Sequence, residues 1–424
     1  MQPRMYYDDA AWEKSEEIAD SWVRQFLDPD ILRPVGGFLV RHHDPDNPDK
    51  FTILEKRAFN ISADGVRKRQ FRRDSISPTR DCHARTSIRV PFVLHWGTKM
   101  GSPMTLSPFV TMKYIDHHTN MYDALNTPDC PAADRGVLDP NISEMKLHAL
   151  YGELGGILLE LAALSMSRIG CLDQKDDFTW ETTLRPLSMP MIEPIRLGSL
   201  PRSKLPCTTF DSASSYFEAL SQLHVSHLVN QRNDAVASAD DCRRKFVAGS
   251  LFLKLARSHR LTSKWSSFET VHSRRGPEYW PKGLGDWCTE YERRLQSFPG
   301  ALVRREDDAI KQGRMKRYQR LSGPMRHSWE SGDLWVAYAA RNNFTFDAIY
   351  WEKIDQRFFE SNDCNIDEVW RQRLELLSDS EKGEMEDLVN QKTREIETRA
   401  LEWDPDEYTL GRINVVEAAW CLGA

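Results

Sequence analysis

Apolar and polar positions divide the chain into a strand-rich first quarter and a helical remainder. Between Ala10 and Phe26, the residues Trp12, Ile18, Trp22, Val23 and Phe26 fall near helical spacing with acidic residues early, which predicts an amphipathic leading helix. Asp28-Pro29-Asp30 is expected to end it. Phe38-Leu-Val40 and Phe51-Thr-Ile-Leu54 read as short β runs, separated by the turn chemistry of Asp44-Pro-Asp-Asn-Pro-Asp49. Two further strands are expected at 86–94 and 108–115, where β-branched and aromatic residues concentrate.

The pattern then changes period. Leu147, Leu150, Tyr151, Leu154, Ile157, Leu158 and Leu161 make one wide apolar face on a helix that Asn141 or Ser143 can cap. After a Pro-rich loop over 185–206, helices are predicted over 214–230 and 239–257. More follow over 287–298, 304–319, 335–359 and 368–377, and a last one is opened by the capping box Ser378-x-x-Glu381. No internal repeat and no heptad seam is present.

Composition narrows the class. At 424 residues, 40% hydrophobic and 28% charged, the chain has the make-up of an ordinary globular protein of about two or three domains. A net charge of −6 argues against the whole chain being a nucleic-acid or anionic-membrane binder. There is no run of eighteen apolar residues and no signal-like N-terminal stretch, so a cytoplasmic protein without a membrane partner is expected. The eight cysteines are scattered singly, which fits reduced thiols better than a disulfide framework or a zinc site.

Residues 62–86 differ from everything around them. Arg67, Lys68, Arg69, Arg72, Arg73, Arg80 and Arg85 crowd a stretch with almost no apolar period, so neither a strand nor an amphipathic helix is expected there. A nucleic-acid patch would interleave more aromatics than Phe71 alone; a solvated basic loop is the simpler reading. His224 and His227 stand three apart on a predicted helix, but no carboxylate at the right spacing completes a metal site, so they read as ordinary histidines. The adjacent pairs His42-His43 and His117-His118 are no better as chelates. Most tryptophans, including Trp335, Trp351 and Trp370, sit among apolar residues, which points to packing rather than base stacking. Dinucleotide, P-loop and serine-hydrolase motifs are all missing.

Three blocks of the chain carry a family resemblance. Gln231-Arg-Asn-Asp234 followed by Ser238-Ala-Asp-Asp-Cys-Arg-Arg-Lys-Phe246, and later Pro277-Glu-Tyr-Trp-Pro281 with Gly285-Asp-Trp287, resemble segments of aminoglycoside phosphotransferase-like proteins, especially those of filamentous fungi. The likeness spans 5–61, 86–267 and 276–408. It implies an α+β, two-lobed, protein-kinase-like fold: an N-lobe remnant over 1–116, a helical C-lobe over 117–409 and a tail over 410–424. It also implies the family's activity, ATP- and Mg²⁺-dependent phosphorylation of a hydroxyl on a small-molecule substrate. Arg57-Ala-Phe-Asn60 resembles the loop over the nucleotide phosphates, and 108–116 resembles the hinge that pairs with adenine. The nucleotide-contacting positions implied are Asn60, Lys113 and Ile115.

The chain departs from the family where chemistry is done. Relatives hold an Asp-x4-Asn catalytic loop and a metal-binding Asp near what is here 256–276. In this chain no Asp is followed five positions later by Asn, no Asp lies between Asp241 and Asp286, and no Asn lies between Asn233 and Asn342. Phosphoryl transfer needs a carboxylate to orient the hydroxyl and oxygen ligands for Mg²⁺, because positioning and charge neutralisation supply most of the acceleration. Residues 63–85 likewise replace the strand and helix that carry the family's phosphate-contacting basic residue and its acidic partner. Arg57 stands where a glycine is usual, and Lys113 where an acidic residue is common. The expectation is a chain of kinase descent with no catalytic residues and no metal ligands of its own; the alternative is a pseudokinase-like binding or scaffold protein.

Overall fold

The computed structural model describes residues 17, 20–43, 51–56, 61–65, 86–91, 93–106, 108–112, 115, 117–129, 138–164, 166–176, 179–196, 198–231, 235–261, 284–295, 297–359, 365 and 368–398. Its architecture is mixed α+β and mostly helical. The chain divides into a small unit, Glu16–Asn120 with Gln174–Trp180, and a larger one that includes Met121–Asp173 and Glu181–Ala424. No helix among the described residues is long and apolar enough to cross a membrane.

The small unit corrects several expectations. The leading helix ends at Phe26, before Asp28-Pro29-Asp30 as expected, but the same segment starts a second helix, α1 (Pro29–His43), so Phe38 lies in a helix, not a strand. The cause is local: the Asp28 carboxylate accepts from the Asp30 amide at 2.8 Å, and Pro29 takes the first helical position, where its missing N–H costs nothing. Strands β1 (Phe51–Lys56) and β2 (Ile61–Gly65) form an antiparallel hairpin with Lys56 opposite Ile61, which places a strand at 62–65 where the sequence pattern predicts none. Strands β3 (Val93–Gly97) and β4 (Phe109–Met112) form a second antiparallel pair with Trp96 opposite Val110. The strand expected from residue 86 begins only at Val93; Pro91 lacks the N–H a ladder needs.

The larger unit is built on helices. It comprises α2 (Met121–Leu125), α3 (Glu144–Ala163), all but the end residues Gln174 and Trp180 of the strands β5 (Cys171–Gln174) and β6 (Trp180–Leu184), then α4 (Met189–Arg196), α5 (Ala213–Asn230) and α6 (Ala239–Arg257). After these come α7 (Leu284–Leu295), α8 (Ser297–Lys311), α9 (Ser322–Ser331), α10 (Asp333–Arg341) and α11 (Phe346–Ile349). A π-helical turn over Tyr350–Ile354 leads into α12 (Asp355–Phe358), followed by α13 (Val369–Arg373) and α14 (Asp379–Thr398). The single helix expected over 335–359 is thus broken at 342–345. The Pro-rich segment expected to be loop contains α4, with Pro194 inside it.

Serine caps open the helices that position the core. Ser143, Ser212, Ser238 and Ser378 each accept a backbone N–H from the first turn of α3, α5, α6 and α14. On α3, Gly155 allows close approach to α8: a Cβ there would lie 3.3 Å from the Leu302 side chain and 3.6 Å from its Cα. Leu147, Phe298 and Leu302 are fully buried in that contact, and Tyr151 nearly so. Burying side chains of this size stabilises by about 1.5–3 kcal/mol each before chain entropy is counted. Helix α6 forms the centre, with α5 against one side and α14 against another.

Three buried charges brace the helical unit. Glu306 on α8, fully buried, accepts from the Leu321 and Ser322 amides at 2.7 and 2.9 Å and from the Ser322 hydroxyl at 2.6 Å, so a carboxylate from one helix caps the start of α9. Gly332, at φ 77°, then turns the chain from α9 into α10 in a conformation few other residues adopt without strain. Asp355 and Arg373 form a two-pronged buried pair, Nε to Oδ1 at 3.0 Å and Nη2 to Oδ2 at 2.9 Å.

Candidate functional site

The break between α10 and α11 faces α5 and α6, and the space between them is a pocket of about 50 Å³. Its lining includes His224, His227 and Gln231 from α5 and its C-terminal end, Lys245 and Gly249 from α6, and Asn343, Phe344, Phe346 and Asp347 from the break. Four of the polar residues in this lining are more than nine-tenths buried: His224, His227, Gln231 and Asp347. The spacing that reads as an unremarkable histidine pair in sequence puts both imidazoles on the inner face of α5, beside Leu220, Leu223 and Leu228.

The two histidines are held differently. His224 stacks on Phe346 with ring centres 4.0 Å apart and 18° between planes, and meets Phe252 edge-on at 6.1 Å. Neither of its ring nitrogens makes a well-formed hydrogen bond, but the backbone of Ala340 and Ala339 lies within hydrogen-bonding reach of the ring. His227 packs edge-on against Phe344 at 5.3 Å, and its Nε2 lies 3.0 Å from the Ser199 hydroxyl oxygen. That hydroxyl donates its only proton to the Pro194 carbonyl at 3.1 Å, so His227 donates through Nε2–H and the tautomer is set. Burial drives both imidazoles down to about 3, with nearby backbone of Ala339 and Ala340 opposing weakly at His224, and His224, Lys392 and Lys245 adding to the shift at His227. Both are neutral at neutral pH.

The charges around the pocket largely offset one another. Lys245 donates to the Ala235 carbonyl at 2.7 Å and pairs with Asp241 at 3.0 Å, and Arg244 approaches Asp347 at 3.9 Å. Lys392 of α14, nearly fully buried, donates to the carbonyls of Val229 and Gln231 and pairs with Glu395 at 2.9 Å. A cation at the C-terminus of α5 meets its orphan carbonyls and suits its dipole. Asn343 carries a buried amide nitrogen with no partner.

The positions singled out in the sequence fall elsewhere. Asn60 and Lys113 lie outside the described residues, as does Arg57. Ile115 is exposed, and its carbonyl accepts from His117 Nδ1 at 2.8 Å, so one lone pair of that hinge-like oxygen is already taken from within the chain. Asn343, Asp347, Gln231 and Lys245 are the functional candidates that sequence reading missed. One signal was there: Asn342-Asn343 interrupts an otherwise apolar helical run, and Asn is a poor helix-interior residue.

In comparisons with known proteins, no family model, no curated protein and no solved structure matched this chain. The pocket's chemistry therefore rests on its own geometry. About 50 Å³ is room for some three to five waters at about 10–15 Å³ each, whereas sites for drug-sized ligands and cofactors run to about 300–1,000 Å³. Among the described residues no group of three or more His, Cys, Asp or Glu side chains is placed to hold a metal. Neutral imidazoles among apolar rings, flanked by offset charges, suit recognition of a small uncharged group.

Proposed function

We propose that this chain is a non-phosphorylating relative of the aminoglycoside phosphotransferase-like kinases, keeping a two-lobed α+β scaffold without the residues of phosphoryl transfer. The observation that carries this reading is the empty stretch beyond α6, with no Asp between Asp241 and Asp286 and no Asn between Asn233 and Asn342. Relatives use those residue types there to orient the acceptor hydroxyl and hold Mg²⁺.

The order of elements supports the descent. An antiparallel β1–β2 hairpin brackets 57–60, the place of the phosphate loop in the family. Strand β4 leads, in the smaller unit, toward Ile115 in the segment that resembles the family's hinge. The resembling block 231–246 covers the connection from α5 to α6 and the first half of α6, the helix at the centre of the helical unit. ATP and Mg²⁺ do not fit the residues present: 63–85 offers no identifiable basic and acidic pair, and the catalytic loop is gone. No phosphoryl-transfer step is therefore assigned to this chain.

A role as a non-catalytic binding or scaffold protein follows as the positive half of the reading. It draws on the helical unit's contiguous buried core from Leu125 to Val389 and on the paired charges within it. The test is Mg²⁺-dependent ATP turnover by the purified chain with thermal unfolding alongside. Cooperative unfolding without turnover is expected, and turnover above a heat-inactivated control contradicts the proposal.

A further inference from the structure

We infer that the connection from α8 into α9, residues 311–327, is a docking surface for single-stranded nucleic acid, with Tyr318 as the platform on which a base stacks and the surrounding cations as phosphate contacts. The inference stands apart from kinase descent and goes beyond it by naming a partner.

Charge is the first ground. Lys311, Arg314, Lys316, Arg317, Arg320 and Arg326 fall in this stretch, and no acid lies between Asp308 and Glu330. The whole chain carries −6, so attraction for a polyanion has to be local, and this stretch supplies it. Arg320 is neutralised, since it pairs with Glu306 and Asp307. The other five cations are exposed and form no ion pair with a carboxylate among the described residues. Arg314 donates from Nε to the Gln312 side chain at 2.9 Å, which orients it and leaves its charge uncompensated.

Form is the second ground. Helix α8 stops at Gly313, φ 70°, where the Arg314 N–H turns back to the Ala309 carbonyl at 2.9 Å. The Gln319 side chain accepts from the Lys316 amide at 2.8 Å and closes a 3₁₀ turn over Arg317–Gln319. At the far end Arg320 and the Leu321 amide are tied to buried Glu306. A loop held at its start, middle and end presents its outward side chains with little ordering left to do on binding. Tyr318 stands out from it at 80% exposure, with Lys316 Nζ over the ring 5.8 Å from its centre.

The ring selects among polyanions. An anionic membrane would draw the same cations but needs apolar groups to enter the headgroup layer, and Tyr318 is the sole large hydrophobic exposed between Ala301 and Arg341 among the described residues. An acidic peptide offers charge without a flat ring at each unit, and a duplex keeps its bases stacked inside. A single strand presents a phosphate and an open base face on every nucleotide, which is what a stacking side chain set among cations recognises without regard to sequence.

The test follows fluorescence anisotropy of labelled oligothymidylate and oligouridylate, about 15 nucleotides each, titrated with the full chain. Saturable binding of at least one strand is expected, the tighter showing whether the site prefers DNA or RNA, with log affinity falling linearly against log salt. Replacing Lys316 and Arg317 together with Ala should make that slope shallower by about 1.4, at about 0.7 per phosphate contact. Tyr318→Ala should weaken binding about five- to a hundredfold and leave the slope unchanged, while Tyr318→Phe keeps most of the affinity. All these sites are exposed, so the variants should share the native thermal midpoint. Failure of both strands to bind at low salt overturns the inference. So does undiminished binding in Tyr318→Ala or in the double variant, or equal competition by duplex DNA, polyglutamate or phosphatidylserine vesicles.

Discussion

Asp355 and Arg373 illustrate how much a single residue decides here. Both are buried, joined by two parallel hydrogen bonds, and the guanidinium lies 5.4 Å above the Phe359 ring. Removing one partner strands the other as an uncompensated buried charge, so Arg373→Met is expected to cost about 3–5 kcal/mol, whereas Asp355→Leu combined with Arg373→Met should recover most of that loss. Chemical denaturation of the three variants checks it; an additive double variant refutes the coupling. The histidines set a pH dependence. Their folded values lie near 3, below the usual 6.5, so the unfolded chain binds protons that the folded chain refuses. The stability they contribute is complete above about pH 6.5 and is lost as pH falls toward 3, at about 1.4 kcal/mol per pH unit for each histidine. Replacing His224 with Phe and His227 with Gln should flatten that limb of the stability profile, measured as the denaturation midpoint against pH. At this scale the sequence exposed the pair by its spacing. It could not expose Asn343 and Asp347 as neighbours, because more than a hundred residues separate them from α5 and only packing brings them together.

Elements were legible where a cap and a period agreed. Ser143 and the Ser378 box each mark a helix start that the structure reproduces, and in α14 the reciprocal bonds are both made: Ser378 N–H to Glu381 at 2.7 Å, and Glu381 N–H to the Ser378 hydroxyl at 3.3 Å. Ser378→Ala should therefore cost about 1 kcal/mol, read as a shift in thermal midpoint, while Ser380→Ala one turn in should cost much less. Where signals conflicted, the pattern misled. Pro29 and Gly36-Gly37 look like breakers, yet Pro at the first helical position starts α1, and the short apolar run at Phe38 is too brief for its period to distinguish strand from helix. The π turn at Tyr350–Ile354 and the break before it are invisible to a search for one long apolar face. Under the proposed descent, the two departures, at 63–85 and 256–276, are of whole elements rather than altered side chains. Loss of that kind exposes apolar surface and orphan backbone groups, which points to the message more than to selection on the site. Sequencing the transcript across the codons for Ser62–Thr86 and Trp265–Gly276 is expected to recover in-frame codons for a basic strand residue and an Asp-x4-Asn loop. A message identical to the chain as it stands rules out that origin.

The whole molecule joins a small strand-containing unit to a larger helical one, and the larger unit holds a contiguous core. Stability of the helical unit requires none of the residues that phosphoryl transfer would use, since its braces are Glu306 at α9, Lys392 at α5 and the Asp355–Arg373 pair. On the proposed reading, that separation is what lets the helical unit persist as a folded body without phosphoryl-transfer chemistry. The direct test is to incubate the purified 424-residue chain with ATP and Mg²⁺ and follow release or transfer of the γ-phosphate under conditions where thermal unfolding is cooperative. The account predicts turnover indistinguishable from that of a heat-inactivated control. Turnover that requires Mg²⁺ and disappears on unfolding would contradict it.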